Sequence, residues 1–287
     1  MAGKEKKKKT FGDVIITLLM LLALAVFVYA GYTLYGYYMQ YKAGQDEYKA
    51  LNKDYTTEET EDYDLLEDEN QDIEARVESL DTQEVVLDGE TVRVPTLKNP
   101  IDFESLQAQY PDMVAWLKIR ALDISYPVMY GEDNDYYLHR GIDGEYLFAG
   151  SIFLNCDNKP DFSDMNSILY GHNMRDGSMF GKIKKFSDEE TFNKSKYFWI
   201  FTPDLIYQYR IFSVAVVDQA GISYQTYYSE SSFEELLDYA FTHSEVDVSG
   251  VDVSYGDKIA TLSTCTGDSS TRRVVYGKLV QVYASRE

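Results

Sequence analysis

The chain changes texture twice between its ends. Val14 to Tyr29 is an almost unbroken run of Ile, Leu, Val, Ala and Phe, and the whole interval between Asp13 and Lys42 lacks a charge. A helix that spans a bilayer needs ~20 such residues, so residues 14–41 are expected to form a transmembrane helix. Tyr29, Tyr32, Tyr35, Tyr37 and Tyr38 crowd its far end, where aromatic rings favour the membrane interface. Residues 42–98 then turn poor in large apolar side chains and dense in acid, as in Glu58-Glu59-Thr60-Glu61-Asp62. Such a segment buries too little surface to offset its ordering entropy, and it reads as an acidic stalk, partly helical at most.

From Asn99 onward the pattern becomes short alternating or apolar segments between turn residues, which sets the folded domain at 99–287. Asp102 can cap a short helix from Phe103 to Gln109, which Pro111 ends. Strands are expected at Met113 to Ile119, Ser125 to Met129, Gly150 to Leu154, Ser167 to Tyr170, Tyr197 to Thr202, Ile206 to Asp218, Lys258 to Ser263 and Arg273 to Tyr283. Two helices interrupt them. One covers Met179 to Phe186, and the other starts from Ser232 as N-cap with Glu235 at the capping-box position. About eight strands in this length suggest a mostly antiparallel β-barrel or sandwich with helical insertions.

Charge adds direction to this layout. The 287 residues carry a net charge of −21, yet the opening Lys4-Glu5-Lys6-Lys7-Lys8-Lys9 contributes about +4 of its own. A basic tip over residues 1–13, followed by an apolar span and an acidic remainder, predicts a cytoplasmic N-terminus and a folded domain outside the cell. A cleaved signal peptide shares the basic flank and apolar run, but this run exceeds the usual ~7–15 residues and no clear small-x-small site follows. The acidity argues against nucleic acid as a partner. Two cysteines are too few for a disulfide scaffold or a structural zinc site, no phosphate loop occurs, and neither cofactor nor metal is expected.

The candidate chemistry is nucleophilic. Cysteine catalysis needs a thiolate, a proton carrier and a device that stabilises an oxyanion. Cys265 closes the strand-like run Ile259-Ala260-Thr261-Leu262-Ser263-Thr264-Cys265 just before the turn-forming Thr266-Gly267-Asp268-Ser269-Ser270. His172 also follows an apolar strand and has Gly171 before it. Arg272 and Arg273 open the last strand, where a short loop can return a cation beside the sulfur.

Thr261-Leu262-Ser263-Thr264-Cys265 with Arg272-Arg273-Val274-Val275-Tyr276-Gly277-Lys278 resembles the signature of sortases, the membrane-anchored cysteine transpeptidases of Gram-positive bacteria. Tyr170-Gly171-His172-Asn173-Met174, continuing through Asp176-Gly177-Ser178-Met179-Phe180, is similar to the histidine segment of their class B branch. Asp133-Asn134-Asp135-Tyr136-Tyr137-Leu138 and Ala149-Gly150-Ser151-Ile152-Phe153-Leu154 are similar to class B stretches as well, over roughly residues 100–285 in matching order. The resemblance implies an eight-stranded sortase β-barrel and a catalytic trio of His172, Cys265 and an arginine. The family spacing of that arginine favours Arg272, with Arg273 as the alternative. It also implies that Ser263, Thr264 and Arg273 could contact substrate. The implied reaction is cleavage of a C-terminal sorting signal after Thr through a Cys265 thioacyl intermediate, resolved by a peptidoglycan amine. A pilin-polymerising enzyme using a pilin Lys amine, a peptide-releasing hydrolase and a non-catalytic tethered binding protein with the same barrel stay open beside it.

The remaining candidates carry plainer expectations. Asn173 is badly placed to orient its own neighbour's imidazole. His139 is expected to be structural or at the surface, and His243 to lie near a helix C-terminus. Cys156 is an inert thiol or a partner whose bridging would block Cys265, and Tyr224 to Tyr228 could line a peptide groove.

Overall fold

The computed structural model describes residues 10–286, so the lysines before Thr10 lie outside the described residues. The chain forms two compact units, Met1–Ala43 and Gly44–Glu287. The first is taken up by α1, a helix that runs Phe11–Tyr55 and is long and apolar enough to cross a membrane. Its apolar side chains are exposed all round, a pattern that suits lipid rather than water. Thr17 and Thr33 donate their hydroxyls back to the carbonyls of Asp13 and Tyr29, so neither needs water inside an apolar medium.

The second unit includes the last turns of α1 and, in order, α2 (Glu61–Glu67), α3 (Ile73–Glu78), β1 (Thr82–Leu87), β2 (Glu90–Lys98), α4 (Phe103–Gln109), β3 (Met113–Ile119), β4 (Ile124–Tyr130), β5 (Ile152–Leu154), β6 (Asn166–Tyr170), α5 (Glu189–Phe192), β7 (Tyr197–Phe201), β8 (Leu205–Asp218), α6 (Glu230–Thr242), β9 (Ile259–Cys265) and β10 (Thr271–Arg286). Eight of the strands close a barrel in the order β10-β8-β7-β3-β4-β5-β6-β9, with β9 returning to β10. Most neighbours are antiparallel, whereas β4–β5 and β6–β9 are parallel. This is a closed eight-stranded barrel, as the strand count and the resemblance led one to expect. The β1–β2 hairpin is added outside the ring, where β2 runs parallel to the end of β10.

The segment read as an acidic stalk folds instead. Tyr63 and Leu66 of α2 have no exposed surface, and the Tyr63 ring meets Trp199 edge-on at 5.0 Å and Phe201 at 5.8 Å. That cover explains β7, whose Tyr197–Phe201 is buried at every position: a strand apolar on both faces needs a layer on each side. The acids are matched rather than repelled. Glu59 binds Lys118 at 2.9 Å and Arg120 at 3.0 Å, and Glu69 binds Lys196 at 2.9 Å and Arg210 at 2.7 Å. Val85-Val86-Leu87 in one arm and Val92 and Val94 in the other, joined by the two-residue turn Asp88-Gly89 with both φ positive, build the hairpin.

Two helical expectations also shift. Over 179–186 no α-helix forms. Met179 N donates to Tyr126 Oη and Phe180 N to His172 O, so those amides are committed to tertiary partners, and only Ile183–Ser187 winds into a 3₁₀ turn. The cap of α6 is Ser229, with Ser232 at the third helical position completing the reciprocal box, so the helix begins three residues before the expected start. Its apolar face, Phe233, Leu236 and Ala240, covers Phe212, Val274 and Tyr276 of the barrel.

Candidate active site

The site lies where β6, β9 and β10 end. Parallel pairing sets Tyr170 beside Ser263, and the hydrogen bonds continue past the strand: Gly171 N donates to Ser263 O at 3.2 Å and Thr264 Oγ1 to Gly171 O at 2.6 Å. Asn173 Nδ2 then donates to Cys265 O at 2.8 Å. His172 is therefore strapped on both sides to the strand that carries the thiol. Gly171 permits the close approach, since a Cβ there would stand 2.4 Å from Ile152 Cδ1 and 2.8 Å from Phe180. Cys265 itself is exposed at the mouth of β9, while the strand behind it is buried. That placement leaves the sulfur accessible to a peptide.

Across the β9–β10 ladder Cys265 pairs directly with Arg272, and Arg273 pairs with Thr264. Alternation therefore sends the two arginines to opposite faces. The Arg272 guanidinium donates to Ser269 O at 3.1 Å, Thr271 O at 2.8 Å and Gln219 Oε1 at 3.1 Å, which fixes it beside the β9–β10 loop. Arg273 instead forms an ion pair with Glu245 and donates to Ser187 Oγ at 3.0 Å. Burial tends to raise the Glu245 carboxyl, but the hydrogen bonds from Arg273 and Ser187 prevail and hold it low.

His172 Nε2 lies 2.7 Å from Leu138 O. A carbonyl only accepts, so Nε2 carries the hydrogen and Nδ1 of the neutral ring is the atom free to take a proton. Burial holds His172 below the ordinary histidine value; the Leu138 bond opposes this and the neighbouring His139 adds to it. His139 is in fact stacked on His172, with centroids 5.0 Å apart and planes 22° from parallel. The surface role expected of it is joined by contact with the imidazole, which its sequence neighbourhood did not signal.

Around the thiol stand aromatic rings. Tyr224 Oη is 2.9 Å from Ser263 Oγ, and its ring stacks on Tyr170 at 6.3 Å. Burial raises both phenols, Arg272 pulls both back, and Cys265 adds to the rise at Tyr224, which sets all of these groups within one electrostatic neighbourhood. Ser263 and Thr264, expected to contact substrate, are both buried, with their hydroxyls on Tyr224 and the Gly171 carbonyl. Sequence reasoning named Tyr170 only as a strand end and motif residue and passed over Gln219 altogether. Cys156 is a free, partly buried thiol, raised by burial and then by Asp157. His243 caps the C-terminus of α6, where Nδ1 bonds Tyr239 O at 2.8 Å. Among the described residues no group of three or more His, Cys, Asp or Glu side chains could hold a metal.

Comparison with known proteins gives one consistent result. A family profile described as a sortase domain matches residues 117–280. The chain is 38% identical over 191 residues to sortase B of Listeria monocytogenes, covering 62% of this chain and 74% of that protein. It is 30% identical over 184 residues to sortase B of Staphylococcus aureus, covering 63% and 75%. The crystal structure of Clostridium perfringens sortase B superposes with a TM-score of 0.58 at 34% identity, covering 62% of this chain and 99% of that one.

Proposed function

The chain belongs to the sortase family, with relatives in its class B branch, and from that premise we propose that it is a membrane-tethered transpeptidase that works through Cys265, His172 and Arg272. Cys265 Sγ attacks the carbonyl carbon of a threonine in a C-terminal sorting signal, and His172 Nδ1 takes the thiol proton. The same imidazole gives that proton to the departing amine as the peptide C–N bond breaks, leaving a thioester. Arg272 stabilises the oxyanion formed at each attack, a task suited to a permanent charge that transfers no proton. An amine of peptidoglycan then attacks the thioester, the C–S bond breaks, and the proton lost by the amine returns through His172 to the sulfur. The N-terminal helix holds the enzyme in the membrane, with the basic tip in the cytoplasm and the catalytic unit outside.

One observation carries this reading: Arg272 is the direct cross-strand partner of Cys265, in a ladder whose other flank bears His172. The test is to mix the protein with sorting-signal peptides and follow products by mass, with and without triglycine or a lysine amine. An acyl adduct on Cys265 and an amine-dependent product are expected. Turnover that survives Cys265→Ala would overturn the assignment, and a product that ignores the amine would make the protein a hydrolase. Transfer to the lysine amine alone would point to pilin polymerisation.

A further inference from the structure

The imidazole of His172 is supported from two directions, and both supports lead back to one turn of α1. The first is the segment Tyr137–Arg140. It accepts the Nε2 hydrogen at Leu138 O and stacks His139 on the ring. Behind it lie Gly150 and Ser151: Ser151 N donates to Tyr137 O at 3.0 Å and Ser151 Oγ to Arg140 O at 2.8 Å. The contact at Gly150 is so close that a Cβ would stand 2.2 Å from Leu138 O, and its φ is +58°. Displacement of Gly150–Ser151 thus moves the carbonyl that holds the ring.

Tyr48 is what fixes Gly150–Ser151. Its side chain is 4% exposed, and its hydroxyl donates to Gly150 O at 2.7 Å with Ser151 Oγ 3.1 Å away. The second support is the loop after His172, closed by a bridge between Asn173 and Met179. The Tyr48 ring meets Tyr126 edge-on at 5.1 Å, and Tyr126 Oη accepts from Met179 N at 3.0 Å. One turn earlier, Gln45 Nε2 donates to Asp176 Oδ2 of the same loop at 2.8 Å. A residue 124 positions before His172 therefore reaches the backbone on either side of it.

We propose that Tyr48 is a positioning residue for His172, setting the angle at which the imidazole meets the Cys265 sulfur. The inference rests on the reading of His172 as the proton carrier. The titratable and charged neighbours of the arrangement are His139 on the ring, Cys265 and Arg272 at the ends of β9 and β10, Arg140 in the 137–140 segment, Glu47 and Asp143 near the phenol, and Tyr126 and Asp176 at the second support. None of them is altered when the phenol loses its oxygen.

The experiment uses the full chain in detergent micelles and a sorting-signal peptide that the unaltered chain turns over, with triglycine as acceptor. Tyr48→Phe keeps the ring and removes only the hydroxyl. It is expected to lower kcat about tenfold and leave KM within about twofold, because a misaimed ring transfers protons less well, and to move the acid limb of the kcat–pH profile to lower pH, because the Leu138 bond that raises His172 is loosened. Gln45→Ala, a gentler change at the second support, should act in the same direction by about threefold and decides the matter if Tyr48→Phe does not fold. Asp54→Asn, exposed on the same helix, should behave as wild type. A Tyr48→Phe protein with unchanged kcat and pH profile, or one that loses only melting temperature, overturns the proposal. If His172→Ala retains turnover, the catalytic reading itself fails. A dead His172→Ala beside a normal Tyr48→Phe defeats the positioning inference alone.

Discussion

Two regions of the catalytic unit are built on different terms. At the β6–β9–β10 seam the ladder decides which side chains meet: Cys265 faces Arg272 because the register pairs them, and His172 follows because β6 runs parallel to β9. In the layer formed by residues 44–98, contacts depend on side chains reaching onto an already formed barrel, as Tyr63 does with its ring on Trp199 and Phe201 and Glu59 with Lys118 and Arg120. Changes at the seam should therefore register in rate, and changes in the layer in stability. Tyr48 is the exception that joins them, a residue of the layer with its effect at the seam.

The largest effect is expected at the thiol. Cys265→Ala should cut turnover by about 10⁴-fold or more with little change in melting temperature, read from product mass and calorimetry. The matching blow to the layer is Tyr63→Ala, which should cost about 3–5 kcal/mol in denaturant titration while kcat of the folded fraction stays the same. A large loss of kcat in the folded Tyr63→Ala protein would erase the distinction between the regions. Next, Arg272→Ala should lower kcat/KM about 10²–10³-fold, and Arg273→Ala only a few-fold. The reverse order would move the catalytic role to Arg273. The smallest effect is a pH dependence at Glu245. Its folded pKa lies below the ordinary 4.5, so the Arg273 pair adds stability above pH 4.5 that fades as pH falls through the lowered value. The pair is partly exposed, so this amounts to less than about 1 kcal/mol, and Arg273→Ala should remove it from the pH–stability curve.

The seam was legible because period-two runs that end in small or turn-forming residues mark both strand and terminus. Met113–Ile119 and Phe103–Gln109 have the expected bounds, and the Cys265, His172 and Arg272 positions followed from strand ends and family spacing. The layer was less legible for a physical reason. Its average composition is acidic, but Tyr48, Leu51, Tyr63 and Leu66 are buried within it, and its acids meet bases more than a hundred positions away in the case of Glu69. Two local signals were nonetheless present. Asp88-Gly89 between Val-rich arms is a hairpin pattern, and Tyr197-Phe198-Trp199-Ile200-Phe201 has no polar side that could face water. Tyr224 near the thiol, by contrast, comes from a loop whose approach no periodicity encodes.

The barrel's closure has a consequence for when the chain becomes reactive. β10 lies between β8 and β9, and β6 meets β9 across pairs such as Ser167 with Ala260. Loops of that length close late, since their entropy must be lost before the contacts form. A chain emerging from its N-terminus can complete β3 to β8 without bringing Cys265 to His172, and Arg272 arrives only with the last strand. On the proposed catalytic reading, maturation and chemical competence coincide, so that an incompletely folded molecule exposes a cysteine without its partners.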